Sequence, residues 1–309
     1  MQLMKRAVIA LALGTATLLG VSQPATAAEP SCSRSCLTSV LDRYMAAVFK
    51  HAPTAAPLSA NHKATLNGAP LAQGAEVWRT ATGYGEVQRR FLDPQSGGAV
   101  YFGELMQGKD VAIVSVRIKV VSGRITEAEW TVGTGATSHM FNPQGLRHYP
   151  PPLVLPLAAA DRVPRAQLIA TANAYFEALE NHDGKPVPRI TGCDRIENGA
   201  KMTHRRRGEP FGPPANAASA ANPDLETGDC TAGFEGFKNS IVDLRPRRFP
   251  VVDEEAGVVM ATAIFHRPPG VTQKRNLATE FFFERGGKIA SIYAAMADLE
   301  HSAPDSPGW

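Results

Sequence analysis

The chain has 309 residues, enough for two domains of ordinary size. Charged residues make up 20% of it and the formal net charge is +3, a balance that excludes a strongly basic nucleic-acid binder. The densest basic spots, residues 205–207 and 245–248, are short and bordered or interrupted by Gly or Pro, as solvated loop charge is.

In chain order the first feature is a leader. Lys5 and Arg6 precede an apolar run over 7–21, and Ala25-Thr26-Ala27 supplies an A-x-A cleavage pattern. That order predicts a secretory signal peptide over 1–27 and a mature chain, periplasmic or secreted, starting near Ala28. No later stretch reaches the ~18 apolar residues of a spanning helix, so no membrane association is expected after cleavage. Export favours disulfides for an even cysteine count. Three connectivities are possible. Pairing Cys32 with Cys36 and Cys193 with Cys230 is favoured, because each bond then stays within one half of the chain. No metal is expected: Cys-x3-Cys has no partner pair at zinc-ligand spacing.

A helix is predicted over 37–50, where Leu37, Val40, Leu41, Tyr44 and Val48 recur at three-to-four spacing. His51-Ala52-Pro53 ends it. An Asn67-Gly68 turn follows, then strands in 99–105, 111–121 and 124–132, separated by turn formers such as Ser122-Gly123. Residues 148–164 begin with HYPPPLVLP and read as a stiff proline-rich linker. The chain then repeats itself. At an offset of 131 residues Leu37 meets Leu168, Tyr44 meets Tyr175, His51 meets His182, and Asn67-Gly68-Ala69 meets Asn198-Gly199-Ala200. A second helix therefore runs through Leu168, Ala172, Tyr175, Phe176 and Leu179, with strands in 258–266, 277–284 and 288–296. Residues 203–247, rich in Gly, Pro, Asn and Ala, read as a loop insertion in the second copy. A period this long means duplicated domains, here 32–147 and 165–309. Each is expected to be α+β, a cone-shaped barrel in which a curved antiparallel sheet wraps around its leading helix.

The order helix, Asn-Gly turn, long hairpin ending in GRI-x-E resembles the nuclear transport factor 2-like (SnoaL-like) superfamily. More narrowly, CSRSCLTSVLDRY, NG, W and RITE, followed by AYFEALENHDG, C-x-RIENG, RRFPVVDEEAG, GGKI and GW, looks like a largely uncharacterised family of exported tandem domains. The resemblance implies a pocket between helix and concave sheet. It also implies dehydratases, isomerases, cyclases and cofactor-free lyases among the relatives, beside binders and dimer modules; a homodimer is compatible with it. Fold does not choose among these, and no catalytic residue transfers by motif.

Candidate residues come from the strand and helix patterns. Glu280 interrupts LATEFFFE in step with Ala278 and Phe282, which points it into an apolar interior that would raise its pKa and suit it to proton transfer. Arg247 is an alternative partner that would make Glu280 a structural ion pair. His266 ends a neighbouring strand in step with Thr262 and Ile264, making a Glu280–His266 pair the sharpest catalytic expectation. Tyr175 is a candidate acid and His182 a candidate base; both positions also suit plain structure, a core ring and a helix-end cap. For substrate contact the candidates are Tyr44, Trp78 and Arg79 as an aromatic wall and cation, Arg117 as an anion ligand, and His204 on a lid over the second pocket. No G-x-G-x-x-G opens a helix, and Walker, H-E-x-x-H and G-x-S-x-G motifs are absent from the sequence, so no cofactor is expected. The expectation is a cofactor-independent lyase, dehydratase or isomerase acting by acid–base chemistry on a small hydrophobic molecule, aromatic compounds included, in a cone pocket. The alternative is a non-catalytic ligand-binding or assembly protein of the same build.

Overall fold

The computed structural model describes residues 32–205 and 228–305. The predicted signal peptide and residues 206–227 of the predicted insertion lie outside them.

The first half opens with α1 (Arg34–Phe49), capped by the Ser33 hydroxyl, which accepts from Cys36 N at 3.3 Å. The helix buries Leu37, Val40, Leu41, Tyr44, Met45 and Val48, the stripe its spacing predicts. It stops where His51 takes φ +53° and its Nδ1 lies 2.6 Å from Trp78 O. Trp78 stands on the short α2 (Val77–Thr80). Around α1 run β1 (Leu58–Leu66), β2 (Ala69–Pro70), β3 (Gly83–Asp93), β4 (Gly98–Gln107), β5 (Asp110–Val121) and β6 (Arg124–Gly133), in the order β2-β1-β6-β5-β4-β3. A short α3 (Pro143–His148) leads out of this half.

The second half repeats the plan. Its helix α4 (Arg165–Glu180) buries Leu168, Ala172, Tyr175, Phe176 and Leu179. His182 ends it with φ +55° and Nε2 2.9 Å from Ile241 O. Next come β7 (Arg189–Glu197), β8 (Ala200–Lys201), β9 (Asp243–Leu244), β10 (Arg248–Asp253), β11 (Val258–His266), β12 (Arg275–Arg285) and β13 (Lys288–Leu299). Their order is β8-β7-β13-β12-β11-β10, with β9 beside β11. The protein is thus α+β with two curved sheets. Both sheets are mixed, where wholly antiparallel ones were expected. β1 runs parallel to β6 and β7 parallel to β13, because the zigzag of later hairpins brings the last strand back beside the first in the same direction.

The echoed Asn-Gly turns fix how the halves correspond. Asn67 and Gly68 have φ +49° and +80°, Asn198 and Gly199 +46° and +83°, a pair of positive angles that Asn and Gly tolerate best. Asn67 Oδ1 accepts from Val132 N at 2.7 Å and its Nδ2 donates to Val132 O at 3.2 Å. Asn198 does the same with Met296, at 2.9 and 2.8 Å. Val132 therefore corresponds to Met296, and Trp130 to Ala294. Since Trp130 pairs with Val116 and Ala294 with Glu280, Val116 corresponds to Glu280.

Each helix lies against one face of its sheet, and the other faces pack on each other. Phe91, Val100 and Phe102 meet Val251, Phe281 and Phe283 there, with the Phe102 and Phe281 ring centroids 4.6 Å apart. Polar contacts across this seam are reciprocal. Arg34 Nη1 donates to Asp253 Oδ1 at 2.7 Å, and Arg165 Nη2 to Asp93 Oδ2 at 2.7 Å. Asp253 also accepts from Leu92 N, and Asp93 from Val252 N, each at 2.9 Å. Contacts exchanged in this way are those of a two-fold interface.

Candidate functional site

Four corresponding positions set the two interiors apart around Trp130 and its counterpart. In the first half Tyr44 OH accepts from Trp130 Nε1 at 3.0 Å, and Trp78 meets the same ring edge-on at 5.5 Å. Trp130 is buried among Ala64, Leu66 and Val116. In the second half Ala294 stands in place of the indole. Arg195 replaces Ala64, Glu197 replaces Leu66 and Glu280 replaces Val116. The local reason is alternation. On β7, Cys193, Arg195 and Glu197 share one face, and the Cys193–Cys230 disulfide and buried Cys193 mark that face as the interior.

The second half holds a cavity of about 110 Å³ with Tyr175, Arg195 and Glu197 on its wall. Met202, Ile241 and Met296 supply apolar lining, and Phe237, from the described part of the insertion, closes one side. His139 and Met140 reach it from the segment after β6, so the first half contributes to the wall.

Arg195 is 1% exposed and its guanidinium lies 5.5 Å from the Phe234 ring centroid and 6.0 Å from that of Phe237. Its Nη1 donates to Tyr175 OH at 3.4 Å, and its Nε lies 3.3 Å from Glu197 Oε1. Nε and Nη2 make no hydrogen bond among the described residues, nor does Glu280 Oε2. Glu280 does not line the cavity; it is 1% exposed, within electrostatic range of Arg195 and Glu197. Burial, then the negative charge of Glu197, push its carboxyl up to about 8, against the pull of Arg195. Burial also raises the Tyr175 phenol well above its ordinary range, Arg195 opposing and Glu280 and Glu197 adding to the rise. Near neutral pH the arrangement is a charged arginine, one cavity-facing carboxylate and two protonated oxygen acids. Environments that separate neighbouring acids in this way allow one to accept a proton while another donates.

Among the expected residues, the structure brings Tyr175 and Glu280 to this cluster and leaves the others elsewhere. His266 is not beside Glu280. Ala261 is the cross-strand partner of Glu280, so 261, 263 and 265 share its face while Thr262, Ile264 and His266 face the other way; His266 Nε2 lies 2.9 Å from Arg245 O. Nor does Arg247 pair with Glu280; it holds Glu180 and Asn173. His182 and its counterpart His51 hold helix exits to backbone carbonyls. Tyr44 and Trp78 are packed core around Trp130, and exposed Arg79 donates to Gly74 O. Arg117 stands on the outer face of β5, bound to Glu127 at 2.7 Å and to Glu129 at 3.1 Å; Arg248 of the other sheet grips Glu129 as well. It is part of the seam between sheets. His204 lies between Asp194, at 3.0 Å, and Asp229, at 3.5 Å, away from the cavity wall.

Arg195, Glu197, Arg267 and His139 are the site residues that the strand patterns did not single out. The signal for two of them is in CDRIE, where a cysteine tied to the interior sets the phase of Arg195 and Glu197.

Residues 161–296 match the model of a domain of unknown function, DUF8021. The DUF8021 segment carries Tyr175, Arg195, Glu197 and Glu280, and leaves out His139 and Met140. No curated protein matches the chain. Among the described residues no helix is long and apolar enough to cross a membrane. The two disulfides, Cys32–Cys36 and Cys193–Cys230, point to an extracellular or periplasmic protein.

Proposed function

We propose that the protein is an exported, cofactor-independent enzyme, a lyase, dehydratase or isomerase that moves a proton on a small, mainly hydrophobic molecule held in the second half. One observation carries this reading: the first half is packed around Trp130, while the interior of the second holds a cavity walled by Arg195, Glu197 and Tyr175, with Glu280 buried close by. The buried charge of Arg195 and Glu197 beside a cavity is costly to fold around, which supports a use for it. In this reading Glu197 takes a proton from the substrate, Arg195 holds the negative oxygen that develops, and Tyr175 donates. Glu280, beneath the wall, is a positioning residue that sets the protonation of the group. The strand order around each helix supports a nuclear transport factor 2-like cone for both halves, and the second is the hollow one.

The test is hydrogen exchange. The protein is incubated in deuterated buffer with small enolisable ketones, enones and hydroxy acids, and C–H loss is followed by proton NMR. Catalysed exchange is expected for at least one compound. Glu197→Gln should slow it ~100-fold or more, the usual scale for a positioned general base, and Met296→Trp, a bulky replacement at a lining residue, should abolish it by filling the cavity. Wild-type protein that exchanges nothing above buffer, or that exchanges as well without Glu197, leaves the non-catalytic ligand-binding reading in its place.

A further inference from the structure

We infer that Leu153–Leu155, in the proline-rich segment between the halves, is a cleavage site for endoproteases that take aliphatic side chains, and that the protein cut there persists as a two-chain molecule.

Exposure is the first ground. Leu153 is 68% and Leu155 64% exposed, the highest values among the large apolar side chains of the described residues. Residues 149–158 belong to no helix or strand, and Leu153, Val154 and Leu155 make no backbone hydrogen bond among the described residues. Strand-type recognition grips an extended peptide by its free main-chain N–H and C=O groups and by alternate side chains. Both are presented here, with Leu153 and Leu155 turned to solvent and Val154 leaning on the apolar cluster between the sheets. A bond inside a paired strand or a helix is reached only after local opening.

The neighbouring prolines narrow the choice of bond. An amide at a proline nitrogen has no N–H to offer, which closes Leu155–Pro156 and the bonds within 150–152 to ordinary endoproteases. Pro152–Leu153, Leu153–Val154 and Val154–Leu155 remain. Hydrolysis consumes one water: the C–N bond breaks, hydroxyl goes to the acyl carbon and hydrogen to the nitrogen, leaving a carboxylate and an ammonium in solvent. Both new ends stay anchored. Upstream, Tyr293 OH donates to Pro150 O at 3.1 Å and Arg89 Nε to Pro152 O at 2.7 Å. Downstream, Leu157 is buried and its N–H donates to Glu255 O at 2.8 Å.

The second ground is that the halves are joined elsewhere. The Arg34–Asp253 and Arg165–Asp93 pairs, the stacked rings of Phe91 and Phe281, and the Thr131 and Thr279 hydroxyls 2.8 Å apart all cross the seam without the linker. The covalent connection adds only the local concentration of one half about the other. His139 and Met140, on the cavity wall of the second half, belong to the upstream chain. They stay seated because Asn198 Nδ2 donates to Ser138 Oγ at 2.6 Å and Asp298 N to Thr137 O at 2.7 Å.

The full mature protein is digested under native conditions with a trace of thermolysin, which cuts before aliphatic residues, and the products are identified by mass. Cutting within 152–155 should outpace that at any other bond of the described residues at least tenfold. The cut protein should elute from a sizing column with the uncut protein and part into two chains only in urea. Its urea midpoint should rise with protein concentration, while that of the uncut protein does not. Leu153→Asp with Leu155→Asp, at two exposed positions, should slow the linker cut at least tenfold and leave the uncut midpoint unchanged. A linker that outlasts other described bonds, halves that separate on the column once cut, or undiminished linker cutting in the double variant would each overturn the inference. The wild-type digestion decides even where the variant does not fold.

Discussion

Replacing Glu280 by Gln keeps the shape of the side chain and removes its proton equilibrium. In the folded protein burial and Glu197 push this carboxyl from its ordinary 4.5 up to about 8, so between those values the native state holds a proton that the unfolded chain has released. Stability then falls as pH rises, being complete below about 4.5 and lost through about 8. At 1.36 kcal/mol for each pH unit the full effect is about 5 kcal/mol at the alkaline end. Glu284, on the same face of β12, is pushed up to about 9 by burial, with Thr171 opposing, and drives stability in the same direction. It is common to both proteins and cancels in their difference. Urea denaturation of wild type and Glu280→Gln from pH 4 to 9 should therefore show near-equal stability in acid and a growing advantage for the variant, several kcal/mol by pH 8.5. A difference that stays within ~0.5 kcal/mol across the range would mean that Glu280 ionises like an ordinary carboxylate against Arg195. The protonated acid beneath the cavity would then not exist.

Opening the Cys193–Cys230 bond with paired serines releases a loop of 37-residue separation and should lower stability by about 4 kcal/mol, read by denaturation without reductant. The same pair should loosen the Phe234 and Phe237 platform under Arg195, seen as faster amide exchange in 228–241. Asn198→Ala removes three hydrogen bonds from a fully buried side chain, those with Met296 N, Met296 O and Ser138 Oγ, and should cost about 3 kcal/mol. Asn67→Ala, at the part-buried counterpart with two such bonds, should cost less, and thermal melts of the two variants compare them directly.

The helices were legible because α1 and α4 each bury one stripe at three-to-four spacing, and the Asn-Gly turns because that pair suits two successive positive φ angles. The inward aim of Glu280 was legible from its phase with Ala278 and Phe282. What surrounds it was not. Arg195 and Glu197 sit in a polar stretch, CDRIENG, that reads as solvent-facing charge unless the strand is known to lie beside β13. His266 shows the complementary difficulty. Its phase with Thr262 and Ile264 was correct, yet alternation alone does not say which face is inside; the pairing of Ala261 with Glu280 does. The parallel contacts of β1 with β6 and β7 with β13 join residues far apart in the chain, and no local pattern announces them.

The exchanged arginines have a bearing on how one module became solid and the other hollow. Arg34 and Arg165, each at the entrance of its own helix, reach into the hairpin turn of the opposite half. Each copy is thereby braced by its twin, outside its own interior. A molecule built so can leave one chamber loosely filled while the sibling chamber, packed around its indole, keeps the pair upright.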